Sequence, residues 1–168
     1  FWAAAATHVA AVAALLLTLT SLVFATAATA APTYPALTGQ IVDQANLISP
    51  EDEAAILADL KALEGTSTDQ VAVVTVNSLE GYPIEDYGIG LARQWQIGQK
   101  DKDNGVLLLV PPNERRVRIE VGRRLEPIMT DIMSAAIIDT AILPRFRRGD
   151  FSGGIRAGVQ DIKNVLLG

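Results

Sequence analysis

The chain has 168 residues, with 19 acidic side chains against 14 basic ones, one histidine and no cysteine. One domain fits that length comfortably, and the acidic balance excludes the electrostatic footprint of a nucleic-acid binder. The missing thiols exclude disulfides, zinc–thiolate sites and cysteine nucleophiles, while the redox compartment stays open.

Residues 1–42 carry no Asp, Glu, Lys or Arg. Within them, residues 9–24 form an apolar run, followed by the small residues Ala25-Thr26-Ala27-Ala28-Thr29-Ala30-Ala31 and then Pro32. A short apolar core with small residues after it is the profile of a secretory leader, with cleavage expected after Ala30 or Ala31. The reading is therefore a signal peptide over 1–31, its basic start missing, and an exported domain over 32–168. An uncleaved membrane anchor is the alternative, because about twenty uncharged residues can span a bilayer. His8, the single histidine, falls inside the leader. The domain then has neither histidine nor cysteine, which excludes Ser-His-Asp, Cys-His and His-ligated metal chemistry.

Ser49-Pro50-Glu51-Asp52 combines an N-cap, a first-turn proline and acids, and opens a helix with Ile56, Leu60 and Leu63 on one face and Gly65 as its end. Residues 71–76 are a β-branched run that predicts a buried central strand. A second helix starts near Pro83, places Tyr87, Leu91 and Trp95 on one face, and stops at Gly98. Residues 106–110 give a second buried strand. After the turn Pro111-Pro112-Asn113-Glu114, residues 116–121 alternate, with Val117, Ile119 and Val121 facing one way and Arg116, Arg118 and Glu120 the other. Thr130-Asp131 opens a third helix, apolar through Ile132, Met133, Ala136, Ile137 and Ala141 and expected to be buried, with Pro144 kinking or ending it. Asp150 caps a last helix striped by Ile155, Val159, Ile162 and Leu166. The order α-β-α-β-β-α-α predicts an α/β fold: a three-layer α/β/α sandwich around a small mixed β-sheet.

The stretch that bears on chemistry is Gly98-Gln99-Lys100-Asp101-Lys102-Asp103-Asn104-Gly105. Asp101, Asp103 and Asn104 offer hard oxygen ligands that suit Ca or Mg, and the same residue types make ordinary turns. The spacing is not that of an EF-hand, since the sixth and twelfth positions from Asp101 are Val106 and Pro112. Asp43, Glu126 and Asp131 are further candidate metal ligands. An Asx-turn accounts equally for Asp43, a helix cap for Asp131, and an arginine partner for Glu120. Arg118, Arg123 and Arg124 are candidate anion-binding groups.

Gly39-Gln40-Ile41-Val42-Asp43-Gln44-Ala45-Asn46-Leu47-Ile48-Ser49-Pro50, the Trp95-x-Ile97-Gly98 segment leading into Asp103-Asn104-Gly105, Arg116-Val117-Arg118-Ile119-Glu120-Val121-Gly122, and Leu143-Pro144-x-Phe146-x-x-Gly149-Asp150 occur in order. Together they resemble the TPM-domain family over residues 34–167. The resemblance implies an α/β/α sandwich, export to a periplasm or thylakoid lumen, divalent-cation binding in some members, and a proposed phosphatase activity. Other relatives resemble accessory proteins that bind envelope or membrane protein complexes. Asp103, Asp131 and Arg118 are then the catalytic candidates of a metal-dependent phosphatase-like hydrolase, and the alternative is a non-enzymatic binding module. Gly122-Arg123-Arg124-Leu125-Glu126 departs from the family's Gly-x-Gly-Leu-Glu; a side chain at Arg124 is expected to strain a left-handed backbone and to put a cation beside the acids. The mature chain is expected not to span a membrane.

Overall fold

The computed structural model describes residues 30–168. The leader assigned to 1–31 therefore lies almost wholly outside the described residues. Residues Pro32–Gly168 form one compact unit. Its sheet has the order β1-β2-β3-β4, built from β1 (Ile41–Asp43), β2 (Gln70–Thr75), β3 (Gly105–Val110) and β4 (Arg118–Val121). The first three strands are parallel and β4 is antiparallel to β3. Helix α1 (Pro50–Ser67) links β1 to β2, and α2 (Ile84–Trp95) links β2 to β3. After β4 come α3 (Asp131–Ile137), a π-helical segment Ile138–Ile142, the short α4 (Leu143–Phe146) and α5 (Phe151–Leu167). Among the described residues no helix is long and apolar enough to cross a membrane.

The side-chain period of two in β2 and β3 separates the interior into two cores. Val71, Val73, Val106, Leu108 and Val110 face α1 and α5, where Ile56, Leu60, Leu63, Ile155, Val159 and Ile162 meet them. Ala72, Val74, Leu107 and Leu109 face α2 and its Ile84, Tyr87, Leu91 and Trp95. The three-layer α/β/α sandwich expected from the sequence is thus the architecture. Tyr34 also packs edge-on against Tyr87, ring centroids 5.0 Å apart, and burial pushes the Tyr87 phenol up to about 12.

Several local expectations change. Gly65 does not end α1, which continues to Ser67 and closes on Thr68 in the left-handed region. One helical glycine costs only about 1 kcal/mol, and the closing bond is made by Thr68 N–H to the Glu64 carbonyl. Helix α3 is not buried all round: Ser134 and Ile137 are inside, while Ile132 is 80% exposed and Met133 and Ala136 also face outward. It lies on the rim of the sandwich, so only one side meets the core. Pro144 follows the π-helical segment; its missing N–H and its ring disrupt the regular i to i−4 ladder, which the wider π turn accommodates.

The N-terminus of α1 is tied to α5 through Asp52. Ser152 Oγ donates to Asp52 Oδ2 at 2.6 Å, and Arg156 reaches Oδ1 at 2.9 Å. These contacts, the Ser152 bond first, hold the Asp52 carboxyl below its ordinary range. A carboxyl depressed in the folded state stabilises above its unfolded pKa and loses that contribution as pH falls through the folded value. Asp52→Asn should therefore cost about 1 kcal/mol at neutral pH, and the gap from wild type should close below roughly pH 4. Urea midpoints of both proteins at several pH values would measure it; a gap independent of pH contradicts the assignment.

Candidate functional site

The acids predicted to share a site fall into separate places. Asp43 ends β1, in register with Thr75 at the end of β2, which is in turn in register with Val110. Asp103 precedes Gly105, at the opposite end of β3. Five residues of strand separate the two levels by about 17 Å, so Asp43 and Asp103 do not ligate one ion. The Asp43 carboxylate is also engaged at both oxygens. It accepts from Leu47 N–H at 3.0 Å, Ile48 N–H at 2.9 Å and Thr75 Oγ at 2.6 Å. The two amides lie four and five residues on, so Asp43 braces the turn into α1 rather than closing an Asx-turn on the residue two ahead.

Asn104 is likewise a buried anchor, 1% exposed. Its Oδ1 accepts from Gln99 N–H at 2.7 Å and its Nδ2 donates to the Thr68 carbonyl at 3.0 Å. Those bonds close the loop on the end of α1. Asp101 and Asp103 are exposed and sit in the left-handed region, at φ 64° and 48°. The loop lies against Gly122: a Cβ there would overlap the Asp103 carbonyl oxygen, and Gly122 N–H donates to the Gly105 carbonyl at 2.7 Å. The recurrence of glycine at 105 and 122 therefore reflects close approach of backbones.

Two grooves share the residues Glu120, Val121 and Glu126. The first, about 540 Å³, lies at the sheet end under Asp103 and is also lined by Arg93, Gln96 and Arg123. The second, about 400 Å³, follows β4 between α2 and α3 and includes Glu85, Arg116, Arg118, Asp131 and Ser134. Asp103 is thus brought to the first groove, Asp131 and Arg118 to the second, Glu126 to both, and Asp101 to neither. Arg118 Nε pairs with Glu120 at 2.7 Å and Arg116 with Glu85 at 3.3 Å. Thr130, not Asp131, caps α3 by accepting from Met133 N–H, and Asp131 is the first helical residue.

Arg124 does not adopt the left-handed conformation expected of it, and it is Arg123 that lines the groove beside Asp103. The turn is satisfied by Leu125 N–H bonding the Gly122 carbonyl and by Arg124 N–H bonding that of Asp103. The second glycine of the family pattern is therefore not required by this backbone. Among the described residues no three Asp, Glu, His or Cys side chains are placed to hold a metal ion. Sequence reasoning missed Arg93, whose place on the groove depends on the last turn of α2; its exposure on a helix end gives no sequence signal.

The TPM domain family model, named for a phosphatase, matches residues 41–165. The chain belongs to the TPM-domain family. A solution structure of the N-terminal domain of a protein from P. gingivalis is similar at 35% identity and TM-score 0.71, covering 76% of this chain and 81% of that one. The BA42 protein of the psychrophilic bacterium Bizionia argentinensis shares the fold at 19% identity and TM-score 0.62, over 72% and 82% of the two chains. The N-terminal domain of the cg2496 protein of Corynebacterium glutamicum does so at 18% and 0.60, over 80% and 84%. No curated protein matches the chain.

Proposed function

We propose that this TPM domain is a non-enzymatic binding module that docks on an envelope or membrane protein complex. The observation that carries it is the separation of the candidate residues: Asp43 and Asn104, offered as metal ligands, hold the backbone, and Asp103 lines a different groove from the other two catalytic candidates, Asp131 and Arg118. What remains at the sheet end is an open groove of mixed charge, with Asp103, Glu120 and Glu126 against Arg93 and Arg123. Such a surface gives charge complementarity to a polypeptide partner, whereas hydrolysis needs either a side-chain nucleophile with its base or a cation that activates water, held beside the substrate.

The second reading, a cation-dependent phosphatase, is favoured by Asp103 and Glu126 lining one groove with Arg93 and Arg123, and by the family model's name. The two separate in one experiment on the chain from Pro32. The binding reading expects a thermal midpoint unchanged between EDTA and millimolar calcium or magnesium, with no phosphate released from p-nitrophenyl phosphate. A ligand of the folded state must raise the midpoint; a rise and a turnover that Asp103→Ala both removes would establish the phosphatase instead.

The same reading places the protein outside the cytoplasm, on the strength of the uncharged residues 1–42 and their small-residue tail. Mass spectrometry of the protein from its native envelope is expected to find an N-terminus at Ala31 or Pro32. An intact leader would point to the anchored alternative.

A further inference from the structure

Strand β4 is the edge of the sheet, and its free side opens into the groove between α2 and α3. The direct bond from Gly122 N–H to the Gly105 carbonyl fixes the alternation of the ladder. Gly122, Glu120 and Arg118 turn their backbone groups toward β3; Val117, Ile119 and Val121 turn theirs outward. None of those outward groups has a hydrogen-bond partner among the described residues. They form a regular row of donors and acceptors, the template that another extended chain can pair with.

The side chains specify which chain. An antiparallel strand pairing with this edge sets its own residues opposite Val117, Ile119 and Val121 on the α3 side, and others opposite Arg118 and Glu120 on the α2 side. It must therefore alternate apolar and charged residues, with an acid facing Arg118 and a base facing Glu120. The sequence Val117-Arg118-Ile119-Glu120-Val121 meets that description itself. About a two-fold axis at Ile119, Ile119 faces its own copy, Val117 faces Val121, and Arg118 faces Glu120 twice. All the residues with outward backbone groups meet one another in this register, giving about six hydrogen bonds. The neighbouring registers that also match the backbone centre on Arg118 or on Glu120, and oppose like charges at the axis.

The geometry points to a symmetric homodimer in which two β4 edges pair about Ile119 and join the sheets into one of eight strands. Arg118 and Glu120 occupy non-hydrogen-bonded positions, where side chains of opposing strands come closest. The intrachain pair at 2.7 Å thereby extends into a four-membered ring of alternating charge. Ile119 is itself 6% exposed, so pairing at the axis reaches it through the groove that β4 lines between α2 and α3.

A charge swap tests it on the chain from Pro32, which contains both cores. Sedimentation velocity would be run over roughly 10 μM to 1 mM, the range suited to an interface this small. Wild type is expected to shift from monomer to dimer. Arg118→Glu and Glu120→Arg each set like charges against each other and should weaken association by about tenfold or more. The double variant restores both the intrachain pair and the cross-strand match, and should return to within about threefold of wild type. Thermal midpoints of all four proteins establish that each is folded. Wild type monomeric throughout, or single reversals that dimerise as wild type does, would overturn the proposal. So would a monomeric wild type that binds a synthetic strand of alternating apolar and charged residues, which would assign the edge to a foreign chain.

Discussion

Asp43→Ala should lower the stability of the domain by about 3–5 kcal/mol. Three donors lose a charged acceptor at once: the Leu47 and Ile48 amides and the Thr75 hydroxyl. Thr75 is completely buried, so water does not replace the lost partner, although its oxygen still accepts from Ala45 N–H at 3.0 Å. Asn at 43 is expected to restore only part of the loss, because an amide nitrogen would confront one of these donors. Urea unfolding of the metal-free protein measures both, with an unchanged slope confirming that only stability has moved. A metal-ligand role predicts a different outcome: near-wild-type stability in EDTA and a deficit only when divalent ions are present.

Gly122→Ala is the second large effect, expected at about 2–3 kcal/mol. The added methyl overlaps the Asp103 carbonyl oxygen and lies 3.1 Å from Gly105 N, so the neighbours that must yield are backbone. Relief requires the Asp101–Asn104 loop to lift away, which disturbs the Asn104 anchor beneath it. The variant should thus change the amide spectra of Gln99 and Asn104 as well as the midpoint. Stability and spectra close to wild type would mean that β3 and the loop part more easily than their contacts imply.

Much of the fold was legible because its periodicities are strong. The runs in β2 and β3, the caps at Ser49, Thr130 and Asp150, and the stripe of α5 all come from local physics acting in the direction of the tertiary structure. β1 escaped because three residues make too short a pattern; Ile41–Asp43 become a strand only through pairing with Val73, Val74 and Thr75. The apolar surface of α3 was misread because sequence shows which residues are greasy but not which side of a rim helix lacks a neighbour. The candidate site was legible as a set of residues and not as an arrangement. Asp43, Asn104 and Asp103 are equally polar in sequence; only their hydrogen bonds show that the first two serve the backbone, and only the register of β1 with β2 and β3 puts Asp43 at the far end of the sheet.

The Asp43 clasp also divides the sheet by how long its parts stay closed. β3 is flanked by strands on both sides and wholly buried, whereas β1 has three half-exposed residues and one neighbour. Amide protons of β3 are therefore expected to exchange with solvent only through global unfolding, and those of β1 through a smaller opening of lower free energy. Leu47 and Ile48 donate to the carboxylate that ends β1, so their amides should exchange in step with it rather than with α1, the helix they precede.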